Sequence, residues 1–238
     1  MKFEYVYLIG VGGTGSHLAD PLVRLLTYHD QGTRNITIID GDAYEDKNSE
    51  RQIFDTQFKG KNKAYATVER LGLSTVKAIA DYIDKDKFAK LLRKHSSNED
   101  NFLAIMAVDN AATRHAIITA VDEGDYPNFV LISPGNTFDT GQIVVYARQE
   151  GEDLTVHPFA KYKNLKEPED TIPVVAEGCA AQTPSEPQLI IANMGAAWGT
   201  MLIISAMLYD KNWYEEVHFS GPKMKMKPTG APKCLLLV

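Results

Sequence analysis

Tyr5 to Ile9 is a short, unbroken apolar run that stops at a cluster of glycines, the pattern of a strand buried on both faces. Ser16 to Tyr28 then carries Leu18, Leu22, Leu25 and Leu26 at helical spacing, with Pro21 early in the segment as a possible bend. Asn35 to Ile39 reads as a second strand ending at Asp40, and polar, irregular sequence follows through Lys61. Ala64 to Leu71 predicts a helix stopped at Gly72, Thr75 to Ala80 a third strand, and Lys87 to Lys94 a short helix. Phe102 to Val108 is apolar and again ends on an acid, Asp109. Ala111 to Glu123 is helical with Gly124 beyond it. Phe129 to Ile132 and Gln142 to Ala147 are the next strands, and Glu216 to Met226 alternates as a final one.

Strands alternating with helices, each strand followed by a polar turn, predict an α/β fold: a Rossmann-like, doubly wound, mostly parallel sheet with helices on both faces and antiparallel strands near the C-terminus. No repeat interrupts residues 1–238, so one nucleotide-binding domain is expected, with a Pro- and charge-rich excursion over about 150–187. Leu189 to Leu208 carries no charged residue and is long enough to cross a bilayer. Asn193, Thr200 and Ser205 within it, Gly195 and Gly199, and the lack of a flanking basic cluster favour a helix buried on all sides over a membrane span.

Composition narrows the classes. The 25 Lys and Arg against 31 Asp and Glu give a net charge of −6, which argues against a sequence-independent nucleic-acid binder. Two cysteines, Cys179 and Cys234, cannot build a disulfide framework or a C-x-x-C zinc pair. Met1-Lys2-Phe3-Glu4 lacks signal-peptide features, so a cytoplasmic protein is expected.

Gly10-Val11-Gly12-Gly13-Thr14-Gly15 holds G-x-G-x-x-G between a strand and a helix, where glycines let the backbone approach a phosphate at a helix N-terminus. That motif serves NAD, FAD or ATP. Asp40, at the end of the second strand, can accept ribose hydroxyls. Asp42, Asn48, Arg51, Gln52, Gly60 and Lys63 then form a dense polar set where a dehydrogenase would soon start its next helix. An arginine fork and a lysine point charge suit a triphosphate.

These positions resemble the ThiF/MoeB/HesA family, bacterial relatives of the ubiquitin-activating enzymes. The resemblance lies in Asp40-x-Asp42, Asn48-x-x-Arg51-Gln52, Gly60-x-x-Lys63, Val108-Asp109-Asn110 with Arg114, and Gly135 before Gly141-Gln142-Ile143-Val144-Val145. It runs from about residue 5 to 148, and the short form is similar to the ThiF-like proteins of mobile-element gene clusters. The family adenylates the C-terminal carboxylate of a small ubiquitin-like or sulfur-carrier β-grasp protein with ATP. The resemblance implies that Asp40 holds the ribose, that Asn48, Arg51 and Lys63 hold the phosphates with Gln52 in support, and that Asp109, beside Asn110, binds Mg²⁺. Gly10, Gly12, Gly13, Gly15 and Asp42 complete the nucleotide site. No structural zinc is expected, and the family's arginine from a helix before the first strand has no counterpart in the sequence. Cys179, just before the charge-free helix, is a candidate for an acylated or sulfur-carrying cysteine, against a structural role. An NAD(P)-dependent oxidoreductase and a non-catalytic nucleotide-binding scaffold are the alternatives. A homodimer through the 189–208 helix is expected, since Met194, Trp198, Met201 and Met207 spread around several of its faces.

Overall fold

The computed structural model describes residues 2–28, 35–53, 55–95, 97, 100–173 and 188–231. Its first half alternates strand and helix: β1 (Tyr5–Ile9), α1 (Gly13–Tyr28), β2 (Asn35–Ile39), α2 (Lys63–Leu71), β3 (Val76–Ile79), α3 (Lys85–Leu92), β4 (Phe102–Met106), α4 (Ala111–Glu123) and β5 (Phe129–Asn136). Between β2 and α2 lie two short 3-10 turns, Asp46–Glu50 and Thr56–Phe58. The second half brings β6 (Thr140–Gln149), β7 (Glu152–Asp153), the short helices α5 (Pro158–Lys161) and α6 (Lys163–Lys166), the long α7 (Ile190–Leu208), β8 (Glu216–Ser220) and β9 (Lys225–Thr229).

Among the described residues nine strands form one sheet in the order β3-β2-β1-β4-β5-β6-β8-β9, with β7 paired to β6. β3, β2, β1, β4 and β5 are parallel, and the rest join antiparallel. Alternation along each strand feeds two cores. Val6, Leu8, Leu103 and Ile105 point to the face covered by α1 and α7, where they meet Leu18, Leu22, Ile203 and Ile204. Tyr7, Ile9, Phe102 and Met106 point to the opposite face and pack on Phe88 of α3 and Ile117 and Val121 of α4. The chain leaves β1 toward β2 on one side and returns from β3 to β4 on the other. A crevice therefore opens between the carboxyl ends of β1 and β4, the usual ligand position in such sheets.

The expected final strand over Glu216–Met226 is two strands. Residues 221–224 turn the chain back, with the Met224 N–H bonded to the Gly221 carbonyl at 3.0 Å and Met224 at φ 47°. Pro222 inside the alternating run removes a ladder donor and fixes φ, which accounts for the break. The long helix also differs from expectation, because it is not buried on all sides. Ala192, Ala196, Thr200, Ile203 and Ile204 are buried, while Ile191, Met194, Trp198 and Leu202 form an exposed outer stripe, Trp198 at 62%. One face meets the sheet and α1, and no described element covers the other. By length and composition α7 could cross a membrane, yet half of its apolar window is buried in this fold. The excursion over 150–187 contains β7, α5 and α6, and its residues 174–187 lie outside the described residues.

Asn193, fully buried on α7, reaches the start of α1. Its Oδ1 accepts Asn136 Nδ2 at 3.2 Å, and the Thr14 hydroxyl lies 3.4 Å from the same oxygen and 3.1 Å from Asn136 Oδ1. Asn193→Ala would remove an acceptor that Thr14 and Asn136 share, leaving the Thr14 hydroxyl on Asn136 Oδ1 and Asn136 Nδ2 on the Thr137 carbonyl at 3.3 Å. Stability should fall by about 0.5–1.5 kcal/mol, read as a lower urea midpoint at unchanged slope. An unchanged midpoint would show that this acceptor carries nothing.

Candidate nucleotide site

Each strand of the parallel half delivers a loop to the crevice. After β1 the chain turns at Gly10 (φ 87°), where a Cβ would stand 2.6 Å from the Ala107 carbonyl oxygen. At Gly15 a Cβ would fall 1.9 Å from the Gly10 carbonyl oxygen, so only glycine lets α1 start this close to its own strand. α1 begins at Gly13 and presents its first N–H groups to the crevice.

Asp40, buried at the end of β2, ties two loops together. Its Oδ2 accepts the Val11 N–H at 2.7 Å and its Oδ1 the Asp42 N–H at 2.8 Å. Burial pushes its pKa up to about 6, with Asp42 adding to the rise and Lys63 opposing it. Lys63, buried at the start of α2, sends Nζ to Asp42 Oδ2 at 2.9 Å. Burial works against its charge, but Asp40 and Asp42 outweigh that and raise its pKa. Asp42 is held below the usual carboxylate range, since Lys63 and a hydrogen bond from the Tyr82 hydroxyl overcome its own burial.

The segment between β2 and α2, irregular and polar in sequence, folds back onto α1. The Ile53 N–H donates to Ser16 Oγ at 3.1 Å, and His17 Nε2 lies 3.2 Å from the Arg51 carbonyl oxygen. This brings Gln52, itself buried, against Gly12: its Nε2 is 3.9 Å from where a Gly12 Cβ would be. Gln52 Oε1 is shut off from solvent with no hydrogen-bond partner. Arg51 Nη1 donates to Gln188 Oε1 at 2.9 Å, and Gln188 Nε2 donates to the Asn136 carbonyl at 3.2 Å. Asn48 Oδ1 accepts the Glu45 N–H at 2.8 Å and thereby holds the turn that carries Arg51.

Asp109 is exposed beyond the end of β4. Asn110, next to it, caps α4 by accepting the Thr113 N–H at 2.7 Å. Among the described residues no group of three or more His, Cys, Asp or Glu gathers as a metal centre. A lone carboxylate still fits Mg²⁺, which commonly takes one or two protein carboxylates and completes its shell with water and phosphate oxygens. Cys179 lies outside the described residues.

Several contributors were absent from the sequence reading. Asn62 Nδ2 donates to the carbonyls of Asp40 (2.8 Å) and Asp42 (2.9 Å), while its Oδ1 caps α2. An asparagine directly before an apolar helical run was the available signal. Tyr82, Gln188, Asn136 and Asn193 reach the site from distant segments and carry no local signal.

The ThiF family model matches residues 1–207. The chain belongs to the ThiF family. No curated protein matches the sequence. Among solved structures, PaaA is similar with a TM-score of 0.66 at 16% identity, over 97% of this chain and 64% of PaaA. E. coli MccB with ATP aligns at TM-score 0.62 and 17% identity, over 99% of this chain and 66% of MccB. E. coli TcdA, a tRNA N6-threonylcarbamoyladenosine dehydratase, aligns at 0.56 and 19%, over 87% of this chain and 85% of TcdA. At these identities the likeness is one of fold, and the chain spans slightly less than two-thirds of PaaA and MccB. All three share the ThiF-like, Rossmann-like architecture described above.

The charge triad predicts a direct measurement. The Asp40 carboxyl carbon should titrate near pH 6 by NMR, ionised at pH 7.5 and protonated at pH 5. Lys63→Met removes the cation that most opposes the rise and should move the midpoint higher still. A midpoint near 4 in the wild type would contradict the buried placement.

Proposed function

We propose that this protein is an ATP-dependent adenylyltransferase that activates the C-terminal carboxylate of a small ubiquitin-like or sulfur-carrier β-grasp protein. The observation that carries the reading is the folding of the β2–α2 segment onto the glycine loop, which sets Gln52 against Gly12 and Arg51 over the start of α1. An NAD(P)-dependent oxidoreductase has use for Asp40 but none for cations gathered there. The orphaned Gln52 Oε1 suits a nucleotide group that donates a hydrogen bond. MccB, a relative by fold, was crystallised with ATP and with AMPCPP plus MccA, which supports the same assignment for this chain.

In this reading Asp40 accepts the ribose hydroxyls, and Arg51 and Lys63 draw charge from the phosphates. Asp109 holds Mg²⁺, which when bound neutralises phosphate charge. A carboxylate oxygen of the partner attacks the α-phosphorus. The bond from that phosphorus to the bridging oxygen breaks, giving acyl-AMP and pyrophosphate. Charge builds on phosphate oxygens, so fixed cations lower the barrier without a side-chain nucleophile. Cys179 is a candidate acceptor for a later thioester. The chain acts as one domain in the cytoplasm, and two copies pair through the outer stripe of α7, where Ile191, Met194, Trp198 and Leu202 leave an apolar face open.

Arg51→Ala should weaken ATP binding by about 1.5–3 kcal/mol, the scale of a charged hydrogen bond, with AMP affected far less. Equal losses for both nucleotides in calorimetry would remove Arg51 from the phosphates. The activity is tested by pyrophosphate release from ATP on addition of a β-grasp protein ending in Gly-Gly. NAD binding with no ATP binding would overturn the reading. Light scattering should give twice the 26.4 kDa chain mass, and Trp198→Glu should return it to one chain. A wild-type mass of 26.4 kDa would refute the pairing.

A further inference from the structure

Arg114 is the one charged residue of the resembling motifs that the nucleotide scheme leaves without a task. It stands one turn into α4, with Nη2 donating to the carbonyls of Val108 (2.6 Å) and Pro134 (3.0 Å). Its Nε is shut off from solvent and has no partner. No carboxylate lies within ion-pair distance among the described residues. Asp109 and Asp170 act on it through space alone, and burial outweighs them in lowering its pKa. A desolvated guanidinium bonded only to neutral carbonyls gains from pairing with an anion.

The surroundings leave room for one. Arg114 lines a small, half-open cleft of about 50 Å³, the size of a carboxylate group, with Ser133, Gly135, Gln142, Tyr162 and Asn164. Gly135 keeps the guanidinium reachable, since a Cβ there would sit 3.8 Å from both Nη atoms. The roof comes from the segment after β7 and is fastened at three points. The Asp170 carboxylate accepts the N–H groups of Ala111 and Ala112, each at 2.7 Å. His115 Nδ1 contacts the Leu165 carbonyl oxygen at 2.9 Å. The Tyr162 hydroxyl donates to Glu216, and Lys161 pairs with Glu215 and Glu216 at 3.0 and 2.6 Å.

Position decides which anion fits. The glycine loop follows β1, and Asp40 and the Arg51 segment follow β2. The cleft opens at β5 and β6, on the far side of β4 and Asp109. Strands lie about 4.8 Å apart, so an anion beside Arg114 stands roughly two strand spacings from the glycine loop, on the side away from the ribose. The cleft suits a short, unbranched tail rather than a nucleotide.

We propose that this cleft receives the C-terminal residue of the acyl substrate, a polypeptide with a small terminal residue, and that Arg114 pairs with its carboxylate. This rests on the adenylation reading and adds where the second substrate enters. The pairing lets one anion approach another, because the carboxylate and the triphosphate repel each other.

The test uses the full chain labelled with [¹⁵N]arginine, read at the Arg114 Nε–H, with N-acetylglycylglycine and its C-terminal amide as probes. The acid should shift that signal saturably, and the amide should bind at least about tenfold more weakly, as expected when a charged partner is lost. Gly135→Val fills the cleft and should abolish the response to the acid while ATP affinity changes less than about twofold. If Gly135→Val perturbs the fold, the acid–amide comparison in the wild type still decides. Equal shifts by acid and amide, no shift by either, or an equal shift by inorganic phosphate would each overturn the proposal. Calorimetry with ATP on the same sample separates the two readings. ATP binding without an Arg114 response leaves adenylation standing and removes the subsite, whereas the reverse leaves a carboxylate site and removes adenylation.

Discussion

A buried carboxylate at the end of β2 joins the two loops on which the site is built. Backbone N–H groups at a sharp glycine turn have no ladder partner, and inside a crevice they must find an acceptor. Asp40 supplies it for Val11 after β1 and for Asp42 in its own loop, one oxygen to each. Asn62 closes the arrangement from α2 by donating to the carbonyls of Asp40 and Asp42. The glycine loop, the β2 loop and the start of α2 thus form one hydrogen-bonded unit centred on a single side chain.

Placing that charge out of water has an electrostatic consequence that the neighbours manage. Asp42 sits beside Asp40 and raises its pKa, while Lys63 offsets both acids and keeps its own proton. The cation is fixed in the crevice by internal partners before any ligand arrives. Such preorganisation lets a charge act on phosphate oxygens without reorganising during reaction. Arg51 reaches across the chain, its Nη1 donating to the Gln188 amide oxygen, and Gln188 is tied to the Asn136 carbonyl.

β1, β2 and β4 were legible because they are covered on both faces and therefore read as nearly continuous apolar runs, leading to Gly10, Asp40 and Asp109 at the crevice. The nucleotide-facing residues were legible for a related reason: Asp40, Arg51, Gln52 and Lys63 fall in a segment too polar and too long to be a plain connection. What could not be read locally was pairing across the chain. Gln188 meets Arg51, and Asn193 meets Asn136 and Thr14, over separations that no periodicity encodes. The hairpin of β8 and β9 was hidden by an alternation that continues through Gly221 and Pro222, where backbone chemistry overrides side-chain pattern. The outer face of α7 was misread because an apolar composition does not tell which faces are covered.

Among the described residues the two rims of the sheet are β3 and β9. A sheet edge offers unpaired N–H and C=O groups to any passing chain, and proteins blunt such edges with lysine and proline. β9 reads Lys225-Met226-Lys227-Pro228-Thr229, with its first four residues exposed, and its proline has no N–H to offer. β3 carries the exposed Lys77 at its own rim. Both of these strands therefore resist growth of the ladder by strand addition, which guards the described sheet against edge-to-edge aggregation at either end.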